Sequence, residues 1–219
     1  MLAGHFAVGY ALKAVEKTVP LWVLLVAVQF VDIFAQIFIF LGLERMFIPE
    51  NATKITDIVI FNPYTHSLIS VPFWSLLFVA IFALFRPVNL RIAAVLIIAV
   101  ASHWILDFVV HVPDLPLSFS PEEKFGLGLW NYPLLSAALE TVLLLAGIAL
   151  CLKVVEFGGL INKLLFWLLC TLLLLLALFG SHTQPPSTIG EAVVKGLMLY
   201  TIVPAFAYFS EKRIRKNSV

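Results

Sequence analysis

Ser102-His103-Trp104-Ile105-Leu106-Asp107-Phe108-Val109-Val110-His111 closes an apolar run that starts at Arg91. As an α-helix this run is long enough to cross a hydrocarbon core of about 30 Å. Within it His103, Asp107 and His111 recur at every fourth position. On a helix those positions lie about 40° apart in projection, so the three side chains form one stripe. Ionisable groups in an apolar span are costly, and they usually face a bundle interior or a cavity where they do work. Imidazole and carboxylate are also the usual ligands of zinc and similar divalent ions.

Composition bounds the setting of that stripe. The 219 residues are 62% hydrophobic and 12% charged, whereas a soluble domain is about a quarter charged. Several runs are of membrane-spanning length, so the expected fold is all-α: a polytopic transmembrane helical bundle forming a single integral membrane domain over residues 1–219. A net charge of +1 gives no pointer to nucleic acid. Cys151 and Cys170 fall in apolar runs and read as buried small hydrophobes. The first residues lack a basic leader, since Lys13 and Lys17 follow the apolar stretch, so no cleavable signal peptide is expected.

The spacing predicts about seven spans. Residues 2–19 form a short first helix, which either spans or lies at the interface; in the second case there are six spans. Pro20 opens a second helix over 21–43, with Asp32 and Gln36 on one face. Residues 44–65 read as a loop, and span three runs over 65–85 with Pro72 expected to kink it. Span four is 91–111, and a second long loop covers 112–132. Span five covers 134–155 with Glu140 inside it, span six 164–179, and span seven 192–209, ahead of the basic tail Lys212-Arg213-Ile214-Arg215-Lys216. The Lys and Arg residues of the tail and of alternate turns predict a cytoplasmic C-terminus.

On this arrangement His5, His66, His103, Asp107 and His111 gather in the outer half of the bilayer, with Asp32 and Glu140 facing them. His182 sits in a Pro/Ser/Thr loop and reads as a solvated bystander, and Glu44 and Asp114 as solvated charges at span ends. Ser136, one turn before Glu140, could bond to it. Gly126-Leu127-Gly128 lacks the strand and helix of a nucleotide loop.

Several of these pieces together resemble a known family. Ala3-Gly4-His5, Asp32 in a helix, Tyr64-Thr65-His66-Ser67-Leu68 and Ser102-His103-(x)3-Asp107 resemble the YdjM-like inner-membrane metal-dependent hydrolases over residues 3–145. The run His111 to Leu117 and Gly126 to Asn131 resembles a bacterial branch of such proteins. More distantly, the order His, Asp, His, His-x3-Asp is similar to zinc-dependent phospholipase C and P1 nuclease. The resemblance implies that His5, Asp32, His66, His103 and Asp107 are metal ligands, with Asp107 bridging and His111 extending the site to a second ion. Two departures stand out: Phe34 replaces a second Asp found in the family pattern, and Ser136 rather than His precedes Glu140. One or two divalent ions, zinc or alternatively manganese, are therefore expected, not a three-ion cluster.

The expected chemistry is hydrolysis of a phosphoester of a lipid or lipid-linked substrate by a metal-activated water, in a bacterial inner membrane, with Asp32 or Glu140 as general base. Two other classes fit the same stripe. A metal transporter would need polar groups through the inner half as well, and a membrane scaffold would use the His/Asp network only to join helices.

Overall fold

The structure is a computed structural model that describes Met1, residues 3–120 and residues 124–211. In chain order its helices are α1 Gly4–Val15, α2 Leu21–Ala27, α3 Phe30–Phe40, α4 Pro63–His66, α5 Val71–Ala83, α6 Leu90–Val110, α7 Pro133–Leu152, α8 Leu160–Phe179 and α9 Ile189–Ser210. Two short antiparallel hairpins interrupt them: β1 Arg45–Phe47 with β2 Val59–Phe61, and β3 Leu115–Pro116 with β4 Lys124–Phe125. The chain is thus mostly helical, as its composition predicts.

Helix ends follow local chemistry. Asn89 caps α6 by accepting from Ile92 N at 2.8 Å, and Thr188 caps α9 by accepting from Glu191 N at 3.1 Å. Pro133 stands in the first turn of α7, where its missing N–H costs nothing. Pro72 behaves the same way. It does not kink a continuous span over 65–85; it sits in the first turn of α5, and the chain before it is broken into α4 and a 3-10 turn at Leu68–Ser70.

Four helices, α6, α7, α8 and the 22-residue α9, are long and apolar enough to cross a membrane. The pair α2 and α3 makes a fifth if taken as one span bent by 50°. The helix expected over 21–43 is therefore broken at Val28 and Gln29. α1 is only 12 residues, about 18 Å, too short for a full crossing. Nor does it lie on a surface: Phe6 and Tyr10 have no exposure, and the helix is enclosed by α7, α2 and α6. It is a central element of the bundle, which neither alternative for the first helix anticipated.

The closest crossing joins α1 to α7. A Cβ built on Gly147 would lie 2.3 Å from the Ala7 carbonyl oxygen, so only glycine permits this approach. At the opposite end from the histidines, Lys13 is buried and ion-paired with Glu211, and Glu211 also accepts from Leu21 N at 2.7 Å. Lys13 thereby latches the end of α9 to α1 and α2. The basic run 212–216 lies outside the described residues.

Candidate metal centre

The bundle brings the predicted histidines together. His103 and Asp107 come from α6, His111 from its C-cap, His5 from the first turns of α1, Asp32 from the first turn of α3, and His66 from the last residue of α4. All but Asp32 are at least nine-tenths buried. The rings of His5 and His103 stack with centroids 3.8 Å apart.

Local structure explains how each donor is aimed. The break between α2 and α3 turns the Val28 carbonyl toward His103, whose Nδ1 donates to it at 2.7 Å. The ladder resumes one residue on, with Ile33 N bonded to Gln29 O. Asp32 consequently sits in the first turn of a new helix, where the dipole favours a carboxylate. The β1–β2 hairpin pairs Arg45 with Phe61 and so returns the chain after β2 to Glu44. Glu44 Oε1 accepts from Tyr64 N and Thr65 N, each at 2.9 Å, and fixes the four-residue α4. Thr65 Oγ1 donates to Glu44 Oε2 at 2.8 Å. Its single proton is thereby used, so it accepts from His66 Nδ1 at 2.8 Å. His111 Nδ1 likewise donates to Asp114 Oδ1 at 2.9 Å.

These partners place a proton on Nδ1 of His66, His103 and His111, so that in the neutral rings each Nε2 carries a bare lone pair. Two such nitrogens, His66 Nε2 and His103 Nε2, lie 3.3 Å apart. Asp32 Oδ1 is 3.1 and 3.5 Å from them, and Asp107 Oδ2 is 3.8 and 3.1 Å. With the rings neutral, four acceptors converge here, an arrangement that repels itself unless a cation, a metal ion or an imidazolium proton, sits among them. A tetrahedral zinc site with bonds of 2.0–2.1 Å has ligand edges of about 3.3–3.4 Å, close to these separations. The other Asp107 oxygen faces a second group. Oδ1 lies 3.0 Å from His5 Nε2 and 3.7 Å from His111 Nε2. The Met1 amino group is also bonded to Oδ1 and lies 3.0 Å from His5 Nε2, so a cationic group already occupies this position. His5 Nδ1 has no hydrogen-bond partner among the described residues.

A cavity of about 380 Å³ reaches the cluster, with Asp32, His66, Asp107 and His111 in its wall. Its remaining walls come from α3, the segment 55–62, the end of α8 and the first half of α9. Trp130 lines it as well and packs on His111, with ring centroids 4.1 Å apart. Tyr200 of α9 is in electrostatic contact with Asp32.

Several expectations change. Glu44 is buried and supports His66 through Thr65, and Asp114 is the partner of His111; neither is merely a solvated charge. Glu140 stands at the N-terminus of α1, where its Oε2 accepts from Ala3 N at 2.7 Å and Gly4 N at 2.9 Å. It holds the helix that carries His5. Ser136 Oγ has no hydrogen-bond partner among the described residues, so it does not serve Glu140. His182 is apart from the cluster, its Nδ1 3.2 Å from Ser181 Oγ. Thr65, Trp130 and Tyr200 were not singled out as site residues. Thr65 was legible as the neighbour of His66, but Tyr200 is 93 positions beyond Asp107 and only packing brings it in.

Burial pushes the Glu44 carboxyl above its ordinary 4.5, against the opposing pull of His66 and the α4 amides. The folded chain then holds this proton more tightly than the unfolded chain, so falling pH just above 4.5 favours the fold while neutralising the group behind His66. Glu44→Gln keeps the shape and removes the charge. Zinc titration is expected to show a 10–100-fold weaker affinity, on the order seen for outer-shell partners, and no Glu44-dependent fall in that pH interval. An affinity equal to wild type at neutral pH would detach Glu44 from the site.

Compared with known protein families, curated proteins and solved structures, the chain matches none of them.

Proposed function

We propose that this chain is a membrane-embedded metal-dependent hydrolase that cleaves a phosphoester of a lipid or lipid-linked substrate. The observation that carries the reading is the convergence of His66 Nε2, His103 Nε2, Asp32 Oδ1 and Asp107 Oδ2, all metal-ligating atoms, beside a cavity. Zinc suits this nitrogen and oxygen set, with manganese as the alternative. His66, His103 and Asp107 would hold an ion with its fourth position open to water, and a second ion beside His5, His111 and the other Asp107 oxygen would have to displace the Met1 amino group. The bound ion supplies Lewis acidity and lowers the pKa of a water toward about 7.

The protein's own groups do the rest. Val28, Thr65 and Asp114 keep three imidazoles in the ligating tautomer. Asp32, which lines the cavity, is the group placed to take a proton from water, and Tyr200 beside it can return one to a leaving oxygen. The apolar walls exclude water and seat a hydrocarbon chain. This reading keeps the likeness to the YdjM-like family. It places the protein in a bacterial inner membrane with its C-terminus cytoplasmic and the site toward the outer half, in a bundle of four or five crossings.

Permeation is the competing reading, since broken helices also form ion sites in transporters. The residues below the site oppose it: Val19, Leu21, Leu24 and Leu25 have no exposure. The test is protein purified without chelator. One or two equivalents of zinc or manganese, and chelator-sensitive release of phosphate or headgroup from a short-chain phospholipid panel, are expected. Metal content near zero, unchanged after incubation with zinc, would sink the proposal.

A further inference from the structure

Gln36 is a polar side chain of the cavity wall that makes no hydrogen bond among the described residues. Gln36 lies one turn after Asp32 on α3, about 6 Å along the helix and on the same face. It is 9% exposed and lines the cavity. Its Oε1 is buried without a partner, and its amide makes no hydrogen bond among the described residues. Buried amides that join helices do so by bonding across the interface, and Gln36 does not bond α9. It is nonetheless held: a Cβ on Gly196 of α9 would lie 3.0 Å from Gln36 Cδ, so the amide packs against bare backbone. A buried polar group left unmade is costly, and such exceptions call for a partner that binds. The cavity wall also carries the apolar Ala35, Ile39, Leu176 and Leu199, with Lys195 and Thr183 among its polar members.

We propose that Gln36 binds a polar group of the substrate's backbone one helical turn from the scissile phosphoester. The substrate is then a lipid with ester, hydroxyl or amide groups directly behind its phosphate, as in a glycerolipid. A polyisoprenyl phosphate, whose chain is hydrocarbon from its first carbon, leaves the amide unpaired. This rests on the hydrolase reading for where the phosphate sits. An amide serves as donor or acceptor by turning over, so either an ester carbonyl or a hydroxyl satisfies it.

The test compares two phosphonates that cannot be hydrolysed at phosphorus, one built on dihexanoylglycerol and one on farnesol. Their binding to zinc-loaded wild type and to Gln36→Met is measured by calorimetry in detergent, with metal content determined on the same samples. Wild type is expected to prefer the glycerolipid analogue about tenfold or more. Gln36→Met, of similar length and apolar, is expected to lose that preference to within about twofold, with farnesyl affinity and metal content unchanged. Gln36→Asn keeps the amide but shortens its reach, and is expected to lose the preference too. Equal binding of the two analogues by wild type, no binding of either, or a preference that survives Gln36→Met would overturn the inference. A preference that persists in protein shown to bind no metal would remove the hydrolase reading and leave the Gln36 assignment standing.

Discussion

Asp107→Ala is expected to strip the bound metal from the purified protein, whereas His111→Ala is expected to leave an ion at the His66/His103 pair. Within the centre, the two oxygens of Asp107 face different groups: Oδ2 the His66/His103 pair, Oδ1 His5 and His111. The carboxylate is 3% exposed and surrounded by imidazoles and an amino group, so its charge is the common counter-charge of the centre. Losing the ions removes several kcal/mol of charge stabilisation in the transition state, a fall in turnover on the order of 10³-fold. Removing a buried ionic partner also destabilises the fold by about 3–5 kcal/mol, so Asp107→Asn, which keeps the shape, is the companion variant. Metal analysis by mass spectrometry separates the cases. Equal metal loss in Asp107→Asn and His111→Ala would show that the carboxylate is not the bridge.

Gly147→Ala is expected to destabilise the fold strongly. The added carbon would stand 2.3 Å from the Ala7 carbonyl oxygen and 3.1 Å from its carbon. Both are backbone atoms, so no rotamer change relieves the clash and α1 itself must move. Overpacking costs about 1–3 kcal/mol, and a backbone obstacle puts this case at the upper end. For a chain of this length that lowers the unfolding midpoint by roughly 5–10 °C. α1 carries His5, so the ion shared by His5, Asp107 and His111 is expected to bind more weakly while the His66/His103 ion is retained. A midpoint within about 2 °C of wild type, with both ions intact, would show that α1 and α7 do not meet at this crossing.

Much of the centre was legible in the sequence because its chemistry is conspicuous against an apolar background. His103, Asp107 and His111 share a stripe by helical period alone, and Asp32 and Gln36 share another. His5 and His66 could be drawn in because both fall near the same end of their helices. The supporting groups were harder to read. Glu44 and Asp114 sit at the ends of apolar segments, where a charge is ordinarily solvated, and nothing local marks Glu44 as buried or Asp114 as the partner of His111. Glu44 reaches Thr65 only because a three-residue hairpin folds the chain back on itself, and short strands within a 22-residue loop carry no periodicity long enough to detect. The break at Val28 and Gln29 was invisible for a related reason. Neither proline nor glycine marks it, and an apolar run with no breaker reads as one continuous helix.

The sequence by itself determined that this is a helical membrane-type chain and which side chains could meet a metal ion, since hydrophobic length and residue chemistry are local properties. Only the tertiary structure decided that α1 is a buried central helix and not a span or an interfacial one, because burial depends on what α2, α6 and α7 place around it. Only packing decided that Asp107 divides its two oxygens between two groups of histidines, that Glu140 is spent on the amides of α1, and that α8 and α9, which carry no motif, wall the cavity. Those are relations between surfaces distant in the chain, and no period within one helix encodes them.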